Sequence, residues 1–240
     1  MGKVYLIGAG PGAADLITVR GARLLAMADV VLHDALVEPA MLDHAGLQTK
    51  RMAVGKRCGQ HSTAQADIDR LIVDAARKYD VVVRLKGGDP MLFGRADEEM
   101  RALEAAGIEY EVVPGITAAL AGAAALRRPL TLRGVARSVV LATCSRAADS
   151  AEFPQSVKAD SLVFYMGRNS AADIARQLIA EGRSGDTPVA VVEACSTPRE
   201  RMLTITLAGL AEGAASAWFD PTQPSVLMIG RAFAPRSGKV

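Results

Sequence analysis

Short β-branched runs alternate with stretches of helical periodicity through the first half of the chain. Val4 to Ile7, Val30 to Leu32, Val81 to Leu85 and Glu111 to Val113 read as strands. Thr18 stands as the N-cap of a helix that turns Leu24, Leu25 and Ala28 inward. Ile68, Leu71, Ile72, Ala75, Ala76 and Tyr79 keep one face of a second helix, opened by a Ser62–Gln65 capping box. A third helix spans Asp97 to Ala106 and stops at Gly107, a residue suited to the left-handed position after a helix. Thr117 caps an alanine-rich fourth helix to about Leu126.

The second half is richer in strands: Ser138 to Thr143, Ser161 to Met166, Val189 to Val192, Met202 to Leu207 and Ser225 to Ile229. One helix, capped by Asn169, carries Ile174, Leu178 and Ile179 and closes at Gly182. Strict strand–helix alternation predicts a largely parallel sheet in the first half, and the strand-rich second half predicts a mixed one. The expected architecture is α/β, with two α/β domains over residues 1–126 and 127–240. The junction falls at Arg127-Arg128-Pro129, and Pro235 to Val240 reads as a loose tail.

Composition narrows the function classes. The 240 residues are 50% hydrophobic but only 4% aromatic, which suits close helix-on-sheet packing. A net charge of +2 provides no basic footprint for nucleic acid. Cys58, Cys144 and Cys195 are far apart and odd in number, so reduced thiols are expected and neither a disulfide framework nor a metal site is. His33, His44 and His61 form no triad or ligand set. No apolar run approaches the ~18 residues of a membrane span. Met1 leads straight into a strand without a signal peptide, so the expected location is cytoplasmic.

The chemistry gathers in turns. Gly8 to Gly12, His33-Asp34, Gly87 to Asp89 and Pro114-Gly115 all follow strands. In a parallel sheet these turns share the carboxyl edge, where open α/β sheets hold ligands. Paired glycines let a backbone approach a ligand closely. The lip of bare backbone and acids suits a ligand with amino and hydroxyl donors, such as a nucleoside with an amino-acid tail. Gly8-x-Gly10-x-x-Ala13, with Asp34 21 residues beyond Ala13, also matches a dinucleotide fingerprint. Pro11 removes one N–H that would cradle a pyrophosphate, and Asp15 brings an acid toward it. Both readings remain open on these turns alone.

Taken in order, the motifs resemble the tetrapyrrole methylases. The segments are Val4 to Gly12, Asp34 to Val37, Val54 to Arg57, Arg84 to Arg95, Val113 to Ala118, Pro129 to Thr131, Val163 to Gly167 and Thr187 to Glu193. The resemblance runs from Val4 to about Arg231. It implies S-adenosylmethionine held in a cleft between two α/β domains, S-adenosylhomocysteine as the product, and a homodimer. The members matched best methylate uroporphyrinogen III at C-2 and C-7 to give precorrin-2, which feeds sirohaem, cobalamin or haem d1. No dehydrogenase–chelatase domain is attached, so a stand-alone form is expected.

Carried over by position, the resemblance assigns cofactor contacts to Pro11, Gly87, Gly88, Asp89, Leu92, Thr117, Ala118 and Met166. It adds Cys195, where the family has a glycine that contributes through its backbone. Asp34 and Lys56 correspond to a proton acceptor and donor, and Arg95 and Glu98 to a second functional pair. His33, Leu132, Ala96-Asp97, Asp69 and Thr143-Cys144-Ser145 depart from the family pattern and bear on the substrate contacts.

The substrate that the resemblance implies is a polycarboxylate, so its site would need cationic groups. Arg95, Lys56 and Arg133 are the favoured ones, whereas Arg57 and Arg128 read as surface bases. Asp34 suits a base because it ends a strand on the ligand edge. Rival readings are a later precorrin methylase of the same fold, a nicotinamide-dependent oxidoreductase, and a non-catalytic tetrapyrrole-binding protein.

Overall fold

The computed structural model describes residues 1–55, 64–144 and 158–235. The chain divides into two compact units, Met1–Ala118 and Ala119–Val240. Among the described residues no helix is long and apolar enough to cross a membrane.

The first unit is built on five parallel strands: β1 (Lys3–Gly8), β2 (Val30–His33), β3 (Lys50–Ala53), β4 (Val81–Lys86) and β5 (Tyr110–Val113). Their spatial order is β3-β2-β4-β1-β5. Helix α1 (Val19–Ala26) follows β1 and starts where expected, with the Thr18 side chain accepting the N–H of Gly21 at 3.1 Å. α1 and a 3-10 segment over Pro39–His44 cover one face, packing Leu25 and Met41 on Ile7, Val31, Val83 and Leu85. Helices α2 (Gln65–Ala76) and α3 (Ala96–Ala105) cover the other, packing Ile68, Ile72 and Leu103 on Val4, Leu6, Leu32 and Val82. Burying each such side chain contributes about 1.5–3 kcal/mol over leaving it in water.

The connections leaving β1 and β4 therefore cover opposite faces of the sheet. β1 and β4 are neighbours, so their carboxyl ends form a topological switch point, the place where open α/β sheets bind ligands.

The second unit holds α4 (Ala118–Leu126), β6 (Val139–Thr143), β7 (Ser161–Tyr165), α5 (Ala171–Ala180), β8 (Pro188–Glu193), β9 (Arg201–Thr206), α6 (Leu207–Ala211) and β10 (Ser225–Ile229). Its sheet runs β6-β7-β10-β8-β9. β6 and β7 are parallel, and the remaining pairs are antiparallel, so the sheet is mixed. α5 and α6 bury Ile174, Leu178, Leu207 and Leu210 against Leu162, Phe164, Val189 and Leu227. α4 lies on the opposite face. A Cβ on its Gly122 would stand 3.3 Å from Met228 Sδ and 3.5 Å from Val192 Cγ2. This packing places α4 in the second unit, so the division comes one helix before Arg127.

Several local expectations change. Asn169 lies in a 3-10 turn over Arg168–Ser170, and Ser170 precedes α5 instead. Met166 leaves β7 with φ of 54°, so it belongs to the turn after the strand. Leu207 opens α6 and does not end β9, because the Thr206 hydroxyl accepts the N–H of Gly209 at 3.1 Å. α2 begins after Ala64, and the Gln65 amide donates forward to Asp69 at 2.8 Å. Ser62, its expected capping partner, lies outside the described residues.

Candidate active site

Four turns meet along the carboxyl edge of the first sheet, and backbone contacts hold them in register. The turns after β1 and β4 form a small antiparallel bridge. Gly88 N–H donates to Gly10 O at 2.7 Å, and Gly10 N–H donates to Gly88 O at 3.1 Å. Both glycines sit at positive φ, 76° for Gly10 and 68° for Gly88, where a side chain would be strained.

The turn after β5 presses on the same place. A Cβ on Gly8 would fall 2.5 Å from Gly115 Cα and 2.7 Å from Gly88 O. A Cβ on Gly115 would fall 2.2 Å from Gly88 O. Glycine at 8 and 115 thus permits backbone-on-backbone packing. Gly88 is different: a Cβ there would meet only Thr117 Cα, at 4.0 Å. One side of the Gly87-Gly88 backbone is consequently bare and open beside Thr117, as a close-fitting ligand requires.

Asp89 fastens this arrangement. Its Oδ2 accepts the N–H of Gly115 and its Oδ1 the N–H of Met91, each at 2.8 Å. The carboxylate thus spans the turns after β4 and β5. Leu92 follows in the same turn, its N–H donating to Asp89 O at 3.3 Å. Pro11 lies in the half-buried turn after β1, and Thr117-Ala118 follow Gly115.

Gly10 spends its N–H and C=O on Gly88. The N–H is thus not available to cradle a pyrophosphate, and a 3-10 turn over Ala14–Leu16 separates the loop from α1. The dinucleotide arrangement, a glycine loop opening straight into a helix, is not formed.

Asp34, after β2, accepts from Arg84 Nη2. Arg84 Nε donates to Glu99 Oε1 at 3.0 Å, and Lys86 Nζ donates to the same oxygen at 2.8 Å. Arg84, Lys86 and Glu99 are buried. Burial, then the neighbouring Arg84 charge, pushes the Lys86 ammonium below its ordinary value, against the opposing pull of Glu99 and Asp34. The sequence reading missed this network. Its signal was present: two cations two residues apart in the strand Val81-Val82-Val83-Arg84-Leu85-Lys86 point to one face of a sheet that is otherwise apolar.

Arg95 and Glu98 meet in the first turn of α3. Nε donates to Oε1 at 2.8 Å and Nη2 to Oε2 at 2.7 Å, a bidentate pair that is largely exposed. Each holds the other charged, raising the Arg95 value and lowering that of Glu98. Arg95 takes a left-handed backbone at φ 55°, and Phe93 one at 54°. Lys56 and Arg57 lie outside the described residues.

In the second unit, Met166 follows β7 and Cys195 follows β8. Cys195 is buried between Ala194 at φ 49° and Ser196 at φ 60°. Burial foremost, and then Glu200, pushes its thiol up to about 12, so its part is that of a small apolar side chain and a backbone. Non-glycine residues at positive φ cost about 1–3 kcal/mol each and gather at ligand sites. Arg133 is exposed beside Gly134 in the tight turn between Leu132 and Ala136. Arg128 is structural, its Nε donating to Ala234 O at 2.7 Å.

A sequence profile of the Tetrapyrrole (Corrin/Porphyrin) Methylases matches residues 3–211. The chain belongs to this family. Among solved tetrapyrrole methylases, it is similar to uroporphyrin-III C-methyl transferase from Thermus thermophilus complexed with S-adenyl homocysteine. That match has 37% identity and a TM-score of 0.85, covering 100% of this chain and 98% of that one. It is also similar to a cobalamin biosynthetic enzyme, cobalt precorrin-4 methyltransferase, at 30% identity and a TM-score of 0.82, covering 97% and 96%. Siroheme synthase 1 of Cronobacter sakazakii is 44% identical over 232 residues, which cover 95% of this chain and 48% of that protein. The chain thus spans about half the length of the curated relatives it matches. Family membership replaces the nicotinamide reading of the glycine turn.

Proposed function

We propose that this tetrapyrrole methylase is a uroporphyrinogen-III C-methyltransferase that uses S-adenosylmethionine and adds methyl groups at C-2 and C-7 to give precorrin-2. The full-length correspondence with the Thermus thermophilus enzyme carries this reading. The bare Gly87-Gly88 backbone beside Thr117 fits such a cofactor, since a Cβ at Gly87 would meet only Leu36 Cβ, at 3.4 Å. When bound, the cofactor supplies a methyl group already activated on a sulfonium.

The protein's task is then positioning. Gly87, Gly88, Pro11, Leu92, Thr117 and Ala118 are the proposed cofactor contacts, and the family resemblance adds Met166 and Cys195. Asp89 acts there chiefly by fixing the turns. Transfer of that methyl group to a pyrrole carbon would leave a proton to be removed from the alkylated ring system. Asp34 is the proposed acceptor and Lys56 the proposed donor. Arg95, Lys56 and Arg133 would pair with substrate carboxylates, Glu98 keeping the Arg95 fork oriented until it is shared. A cytoplasmic homodimer is part of the same reading.

The test is incubation with S-adenosylmethionine and freshly made uroporphyrinogen III, followed by mass spectrometry. A gain of two methyl groups is expected. The similarity to cobalt precorrin-4 methyltransferase supports a second reading, methylation of a later precorrin. Inertness toward uroporphyrinogen III with turnover of such a precorrin would establish it instead.

A further inference from the structure

We propose that Arg84 is a positioning residue that holds the Asp34 carboxylate in place by bridging it to the buried Glu99 of α3. The inference rests on the reading of Asp34 as the base. Every nitrogen of the guanidinium is engaged. Nε meets Glu99 Oε1 at 3.0 Å, Nη1 meets the carbonyls of Leu85 at 3.2 Å and Leu32 at 3.5 Å, and Nη2 meets Asp34 Oδ1. A planar group fixed from three sides cannot turn, so Asp34 Oδ1 is fixed with it. Oδ2 has no hydrogen-bond partner among the described residues.

Packing alone does not call for these charges. A buried ion pair is weak evidence for stability, and an apolar side chain at position 84 would continue the surrounding strand core. The arrangement does require arginine. Asp34 and Glu99 take different nitrogens of one fork, which a single lysine ammonium cannot match. Lys86 also binds Glu99 Oε1 at 2.8 Å, so Glu99 keeps a counter-charge when Arg84 is replaced. Through α3 the same network fixes the helix whose first turn carries Arg95 and Glu98.

The test is a double-mutant cycle of R84M and D34N, with R84K as the variant that retains the buried charge. The readouts are kcat and KM for methyl transfer to uroporphyrinogen III, and S-adenosylhomocysteine affinity by calorimetry. R84M is expected to lower kcat roughly 10- to 100-fold, the cost of a misplaced catalytic group, with KM and S-adenosylhomocysteine affinity nearly unchanged. R84K should show the same loss in part. In the D34N background the further loss should be less than about threefold, because two groups acting as one are not additive.

Full additivity, or an undiminished kcat in R84M and R84K, overturns the inference. Normal kcat in D34N overturns the reading of Asp34 as the base on which it rests. If R84M does not fold, the R84K arm of the cycle decides. A crystal structure of R84K with the Asp34 carboxylate unmoved would also overturn it, whatever substrate the enzyme accepts.

Discussion

Asp89 Oδ2 accepts the backbone N–H of Gly115 at 2.8 Å, joining the turn after β4 to the turn after β5. The opposite oxygen takes Met91 N–H at the same distance, so one side chain sets the spacing of the glycine edge. Asp89→Asn puts an amide nitrogen against one of those two donors. A loss of about 1–3 kcal/mol is expected by urea unfolding, together with weaker S-adenosylhomocysteine binding. Unchanged stability would show that the clamp is dispensable.

Gly8→Ala should be more damaging than an alanine at a glycine with room around it. Its Cβ would press on Gly115 Cα at 2.5 Å and Gly88 O at 2.7 Å, and no flexible side chain can yield there. The expected cost is about 1–3 kcal/mol or more. Gly182→Ala is the control: φ is 94° but nothing lies within 4 Å, leaving only the backbone penalty of about 1–2 kcal/mol. Thermal unfolding of the two variants side by side distinguishes crowding from strain.

Lys86 predicts an alkaline gain in stability. Its folded value lies below 10.5, so between that value and 10.5 the unfolded chain binds more protons than the folded one. Its contribution therefore rises with pH through this window, is complete above 10.5, and is lost as pH falls through the folded value. Denaturant titrations across the window should show this slope, and Lys86→Met should remove it. An identical slope in the variant would place the effect elsewhere.

Burial holds Cys195 at about 12 and Cys144 at about 11, well above the ordinary thiol value of 9.0. Only the thiolate reacts quickly, so both should resist iodoacetamide near pH ~8 while the protein is folded and react on unfolding. Peptide mass mapping reads this site by site. These groups act opposite to Lys86: their contribution is present below 9.0 and declines as pH rises toward the folded values. Rapid labelling of folded Cys195 would contradict its burial.

Much of the fold was legible because local rules and tertiary packing agree. Thr18 caps α1, and Gly107 and Gly182 follow α3 and α5 at positive φ, as their residue types suggest. β3 escaped because Lys50–Ala53 is an exposed edge strand without the apolar signal of its neighbours. α6 escaped because five residues show too little periodicity, and Leu207 continues the apolar alternation of β9. The Asn169 cap failed because a 3-10 turn intervenes before α5.

The amino-acid pattern alone places the parallel and mixed sheets and the glycine turns at strand ends. All of these depend on residue type and short spacing. What those turns do to one another follows from the packing of whole elements. Asp89 is a clamp because β1 lies between β4 and β5, which brings Gly115 to its carboxylate. Asp34 meets Arg84 across 50 residues because β2 and β4 are neighbours despite β3 and α2 between them in the chain. The partners of a buried charge are set by crossover connections and strand register, and those follow from how whole elements bury their apolar faces.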